Sequence, residues 1–317
     1  MYSMNSENYY SSENALKYMS VSQFKSFMDC ESKALAEISG EYKRESTTAL
    51  LIGSYIDSWF EGTLENFKSN HSEIFLKNGG LKADFAMAED IIKLVSSQPK
   101  FMQYMSGDKQ KIFTGNIAGV LFKGKLDSYI PGKCIVDLKV MRDFEPVWKD
   151  RHKLNFVEAW GYDIQGAVYQ ELVYQNTGER LPFYICAVTK EKVPDIRIMK
   201  INQERLDYCL AIVKEKAPYY HELKTNGGIH KRCEKCDYCK MTRVLEVIDY
   251  RDLTPELYSN QNEGEMAQNE DNNFTIKNFV EIPEFETKGE KHNKKSKKKK
   301  KIKKQGKKIK IELNFKE

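Results

Sequence analysis

Apolar and polar positions alternate along residues 117 to 130 (IAGVLFKGKLDSYI), stop alternating at Pro131-Gly132, and alternate again over 134 to 140 (CIVDLKV). Period-2 patterning on both sides of a Pro-Gly break predicts a β-hairpin. Strand patterns run over about 111 to 122, 124 to 130, 133 to 140, 181 to 189 and 194 to 201. Apolar residues at helical spacing predict helices over about 22 to 38, 48 to 61, 83 to 97, 156 to 176 and 203 to 223. Interleaved helix and strand patterns specify an α/β domain, with a mixed central β-sheet flanked by helices.

Two charged residues interrupt the core-like pattern of the second hairpin strand. Residues two apart on a strand share a face, so Asp137 and Lys139 project together with Ile135, while Val136, Leu138 and Val140 face the other way. Burying such groups without a use is costly. Ten residues upstream, Gly124-Lys125-Leu126-Asp127 brings a second carboxylate to the neighbouring strand. Paired carboxylates suit Mg²⁺, a hard ion that polarises phosphate and lowers the pKa of a bound water; a lysine beside them can steady developing negative charge. A surface hairpin with a cross-strand ion pair is the bland reading of the same residues.

The helix pattern over 156 to 175 adds Gln165 and Tyr169, four apart and therefore on one face. Asp127, Asp137-Leu138-Lys139 and Gln165-x-x-x-Tyr169 together resemble the PD-(D/E)XK nucleases, in particular the RecB-like branch that includes phage RecE-type (exodeoxyribonuclease VIII-type) proteins, over about residues 18 to 245. The resemblance implies a restriction-endonuclease-like core. It also implies Asp127, Asp137 and the Leu138 carbonyl as ligands of Mg²⁺ or Mn²⁺, Lys139 as the catalytic amine, and Gln165 and Tyr169 as positioning residues. The segment from Ser20 to Cys30, with capping serines and an apolar stripe of Phe24, Phe27 and Met28, looks like the family's N-terminal helix. Gly53-x-x-x-Asp57 resembles the stretch in which the family often places a metal-binding histidine; here the position is aspartate, which can ligate a hard metal or be a plain polar helix residue.

Cysteines form a second constellation. Three of the seven occur as Cys233-x-x-Cys236-x-x-Cys239 in a polar segment, while Cys134, Cys186 and Cys209 lie in apolar surroundings. Their odd number and the lack of a signal peptide pattern argue for a reducing, cytoplasmic compartment, which disfavours disulfides. Three closely spaced thiolates suit a [4Fe–4S] cluster or Zn²⁺, and either needs a fourth ligand. Similarity to iron–sulfur nucleases implies Cys30 for that place, although the spacing around the last cysteine departs from theirs; His230 is the local alternative for zinc.

Charge refines the domain picture. Residues 288 to 317 hold 15 Lys and 3 Glu, a balance of +12, and the other residues hold 36 basic against 43 acidic groups, a balance of −7. We divide the chain into a flexible N-terminus (1–17), a nuclease domain (18–250) containing the cysteine segment (230–240), a polar, acidic linker (251–287) and a disordered lysine-rich tail (288–317). The tail is suited to phosphates, whose counterions it would displace. Residues 309 to 315 alternate and could add to a sheet edge. No apolar run nears the roughly 20 residues that span a membrane. The expected function is an exonuclease acting on linear duplex DNA in phage-type recombination or repair, beside a single-strand annealing protein. The alternatives are an endonuclease or nickase of restriction or CRISPR-adaptation type, and a non-catalytic DNA-binding subunit.

Overall fold

The computed structural model describes residues 4–149 and 152–253. It divides into a unit spanning Met1–Glu246 and a second spanning Val247–Glu317. Within the second unit the described residues form a short 3₁₀ turn, Tyr250–Leu253, in which Arg251 pairs with Asp249. The lysine-rich tail, its alternating 309–315 segment and the linker from residue 254 onward lie outside the described residues.

The first unit opens with α1 (Ser12–Lys17) and β1 (Met19–Ser20). Within the expected flexible segment (1–17), the described residues 4–17 include α1, capped by Ser11, and Tyr9 is buried with its carbonyl and ring against the Lys123 ammonium. α2 (Val21–Asp29) follows, with a capping box between Ser20 and Gln23. The single helix expected over 22 to 38 is two, because Cys30 adopts an extended backbone (φ −168°) before α3 (Glu31–Ser39) begins. Ser32 then bonds Lys231 through both its amide and its hydroxyl.

Next come α4 (Thr48–Glu61), α5 (Leu64–Asn70), α6 (Ala83–Ser96) and α7 (Pro99–Tyr104). The stretch expected as one strand over 111 to 122 is a hairpin of β2 (Lys111–Ile117) and β3 (Val120–Leu126), turning at Ala118-Gly119 with both residues at positive φ. β4 (Ser128–Ile130) and β5 (Cys134–Met141) form the hairpin expected around Pro131-Gly132. After β6 (Val147–Lys149) and β7 (His152–Leu154), the helix expected over 156 to 176 is split into α8 (Phe156–Ala159) and α9 (Tyr162–Thr177) by Gly161 in the left-handed region (φ +62°). β8 (Phe183–Thr189), β9 (Ile196–Lys200), α10 (Gln203–Asn226) and α11 (Asp237–Met241) complete it.

The strands form a mixed sheet of order β4-β5-β8-β9, a smaller sheet of order β1-β3-β2, and the β6-β7 ribbon. β5 and β8 run parallel, joined through α9, and β8 and β9 run antiparallel. β5 separates two apolar clusters by its period-2 alternation. Ile135 packs with Phe24, Val168 and Val213 on one side; Val136 and Leu138 pack with Ile56, Ile91 and Val188 on the other. No helix among the described residues is long and apolar enough to cross a membrane.

Candidate active site

Asp127 occupies the break between β3 and β4, where the chain passes from one sheet to the other. The β4–β5 register pairs Ser128 with Val136, so one step further Asp127 stands opposite Asp137. Its Oδ2 accepts from the Leu138 N–H at 2.9 Å, where a strand would otherwise have offered a backbone carbonyl. Asp137 is 1% exposed. Its Oδ1 accepts from Gln165 Nε2 at 2.7 Å, and its Oδ2 pairs with the Lys139 ammonium, with no described donor aligned on that oxygen as a hydrogen bond. Lys139 Nζ also donates to the Leu138 carbonyl at 3.2 Å and lies 4.8 Å from the Tyr162 ring centroid.

Asp57, on α4, is electrostatically coupled to this group. Burial pushes its carboxyl up to about 7; Lys139 opposes that rise, and the charges of Asp137 and Glu61 add to it. Burial likewise holds Asp127 well above the usual carboxylate range, reinforced by Asp137 and Asp57 and opposed by Lys139. Burial disfavours the Lys139 ammonium, but the Asp137 and Asp127 carboxylates outweigh it and raise its pKa. Three carboxylates so close in a low-dielectric setting repel one another. Hard oxygen donors in that arrangement fit a divalent cation, whose charge would let all three ionise together.

Tyr169 is buried, its hydroxyl pKa driven up first by burial and then by Asp137. Its ring lies so close to Gly124 that a Cβ there would sit 2.9 Å from a ring carbon. That contact gives the glycine of the Gly124–Asp127 run a steric reason. The cleft beside these groups has a volume of ≈ 670 Å³ and is lined by Asp57, Asp127, Gln165 and Tyr169 together with Lys25, Lys123 and Lys125.

The cysteines assemble separately. Cys30, Cys233, Cys236 and Cys239 place their Sγ atoms within 4.8 Å of one another, with Cys30 to Cys239 at 3.5 Å and Cys233 to Cys239 at 3.9 Å. The extended backbone at Cys30 is what turns its thiol toward the triplet. Burial raises the Cys233 thiol, but the Lys235 and Cys236 N–H groups outweigh it and hold it at about 7; burial pushes Cys236 up to about 12. Four thiols clustered this closely fit a thiophilic metal that would bind all of them as thiolates. His230 is outside this group, with its Nδ1 on the Gly228 carbonyl, so the fourth place that it was offered for zinc goes to Cys30.

Residues 20–242 match the model of a family described as a PDDEXK-like domain of unknown function. The chain belongs to that family. It is also similar to a solved structure from Eubacterium rectale described as a "Putative exonuclease", with 48% sequence identity and a TM-score of 0.77, covering 80% of this chain and 99% of the other. No curated protein matches. Family and neighbour together support a nuclease. The restriction-endonuclease-like, mixed α/β core expected from the resemblance is the fold observed.

The tertiary structure brings Asp57, Asp127, Asp137, Lys139, Gln165 and Tyr169 to one place, and Cys30 to the cysteine triplet. The sequence did not single out Lys25 and Tyr162. Lys25 Nζ donates to the Trp160 carbonyl 135 residues away, so no local pattern distinguishes it from other polar positions on an amphipathic helix.

Proposed function

We propose that this chain is a divalent-metal-dependent deoxyribonuclease that hydrolyses phosphodiester bonds and, as an exonuclease, digests linear double-stranded DNA. The observation that carries this reading is the electrostatic coupling of Asp57, Asp127 and Asp137 with Lys139, and the Gln165–Asp137 hydrogen bond, beside a cleft lined by Asp57, Asp127 and Gln165. Mg²⁺ (or Mn²⁺) would be held by Asp127, Asp137, the Leu138 carbonyl and Asp57, and when bound supplies Lewis acidity toward phosphate and lowers the pKa of water. The chain's own groups do the rest. Lys139 keeps its proton and donates toward the charge developing on the phosphate oxygens. Gln165 fixes the Asp137 carboxylate through Oδ1, leaving Oδ2 turned to the ammonium. Tyr169, wedged against Gly124, holds the α9 face that carries Gln165.

The exonuclease assignment draws on the description of the Eubacterium rectale neighbour and on the RecE-type resemblance. A role in phage-type recombination or repair and a single-strand annealing partner come from the same resemblance, and a cytoplasmic setting from the cysteine usage. The lysine tail would add affinity for DNA irrespective of sequence.

At the cysteine centre we favour one tetrahedral Zn²⁺ over a [4Fe–4S] cluster. Zn–S bonds of about 2.3 Å put tetrahedral sulfurs roughly 3.8 Å apart; here the four sulfurs lie within 4.8 Å of one another, two of the pairs at 3.5 and 3.9 Å. In a cubane each thiolate binds a different iron, which spreads the sulfurs further. The centre would tie α2 to the C-terminal end of the domain.

Matched linear and covalently closed circular duplexes, incubated with Mg²⁺ and either wild type or Lys139→Ala, test the catalytic reading. We expect loss of the linear form only, abolished by the substitution. Cutting of the circle would make the protein an endonuclease, and binding without cleavage under any metal would make it a non-catalytic subunit.

A further inference from the structure

Lys25 belongs to the reacting end of the cleft although it lies on α2, far in sequence from the carboxylates. Its Nζ is 5.2 Å from the centroid of the Tyr162 ring, the ring that Lys139 Nζ approaches to 4.8 Å. The approach is built in. Gly161 takes a left-handed conformation, and a Cβ there would sit 2.9 Å from Lys25 Cδ, so the missing side chain is what admits the lysine stem.

Among the described residues the charge on Lys25 has no anionic partner of its own. Asp137, Asp29 and Asp163 are the carboxylates that act on it. Each is already engaged: Asp137 with Lys139, Asp29 with Lys149 at 3.5 Å, and Asp163 with Arg205 at 2.7 Å. Among the described residues Lys25 makes no ion pair, and its hydrogen bond to a protein atom is the 2.9 Å contact with the Trp160 carbonyl. An ammonium has three donors, so further donors remain for a ligand. Burial and the nearby Lys139 charge together lower its pKa to about 8, the mark of a cation held without compensation. The cost of such an arrangement is recovered when an anion arrives in the cleft.

We propose that Lys25 is a substrate-binding residue that contacts a phosphate of the nucleic-acid backbone next to the one being cleaved, its ammonium donating to a non-bridging oxygen. The inference builds on the nuclease reading and specifies which cation, outside the Asp-Asp-Lys set, receives the substrate. Lys123 and Lys125 line the same cleft, but their ring contacts are with Tyr9 and Tyr10; of the three lysines, Lys25 is the one that shares the Tyr162 ring with Lys139.

The test uses the full chain and a short linear duplex carrying a single neutral methylphosphonate at each of the terminal phosphates in turn. Lys25→Met keeps an unbranched stem beside Gly161 and removes the charge; Lys25→Arg restores it. Affinity is measured in EDTA across a range of salt. We expect Lys25→Met to bind about 10-fold more weakly, the scale of one charge-assisted hydrogen bond. Its salt slope should be lower by about one phosphate contact. One methylphosphonate position should weaken wild type and Lys25→Arg while leaving Lys25→Met unaffected. An unchanged salt slope and an identical methylphosphonate profile in Lys25→Met would overturn the proposal, even if affinity fell, because that pattern is a structural effect alone. Failure of wild type to bind any duplex would overturn it as well. Cleavage in Mg²⁺ by the same wild-type sample judges the nuclease reading separately: a phosphate contact without cleavage would sink that reading and leave Lys25 as a nucleic-acid contact.

Discussion

Replacing Asp57 by asparagine should stabilise the metal-free protein above neutral pH while weakening its response to Mg²⁺. In the fold, the Asp57 carboxyl is raised from 3.8 to about 7. A raised carboxyl makes the native state bind more protons than the unfolded chain between these two values. Stability therefore falls as pH rises through that window, and the full penalty applies above about pH 7. At about 1.4 kcal/mol per pH unit the penalty is bounded at about 4 kcal/mol. Asp57 is partly exposed and shares its repulsion with Asp127 and Asp137, so roughly 2 kcal/mol is the figure to expect after screening.

For a domain of this size that corresponds to a rise in Tm of about 4–8 °C for Asp57→Asn at pH 8.5 in EDTA, shrinking toward zero near pH 4. The assay is scanning calorimetry of wild type and variant at both pH values, with EDTA and then with excess Mg²⁺. Ligand linkage should raise the wild-type Tm in Mg²⁺, and the variant should respond much less. A variant as labile as wild type or more so at pH 8.5 in EDTA, or one that Mg²⁺ stabilises equally, would refute the placing of Asp57 in a repelling carboxylate cluster.

Other outcomes follow from the same geometry. Gly124→Ala puts a methyl 2.9 Å from the Tyr169 ring; it should cost about 1–3 kcal/mol by calorimetry and lower cleavage by displacing α9, whereas a neutral change would mean that the ring has room to move. Cys30→Ser should release the metal from the cysteine centre, measured by elemental analysis, and destabilise the fold by about 4 kcal/mol. His230→Ala should retain metal in full, and loss of metal from it would return histidine to the ligand set. Zinc in the colourless wild type supports the tetrahedral centre; a brown protein holding iron would replace it with a cluster.

Much of the site was legible because its spacing is short and its chemistry out of place. Asp137 and Lys139 stood out as charges on one face of an otherwise apolar strand, and Gln165 with Tyr169 as a helical i, i+4 pair. The hairpin about Pro131-Gly132 and the helix over 48 to 61 could be read for the same reason: periodicity is a property of neighbours. Bends were not legible. Helical spacing runs through Cys30 and through Trp160-Gly161 without interruption, yet the chain breaks at both, at Cys30 to turn a thiol toward residues 233–239 and at Gly161 to admit Lys25.

The sequence by itself determined the family, the strand face that carries Asp137 and Lys139 with Asp127 ten residues upstream, and the triplet of thiols, because each lies within a short span where local backbone geometry relates the side chains. Tertiary structure alone decided that Asp57 joins the carboxylates, that Cys30 rather than His230 completes the cysteine group, and that Lys25 shares the Tyr162 ring with Lys139. Those three placements bring together residues tens to hundreds of positions apart, and their distances are set by how helices pack on the sheet, which local patterning does not encode.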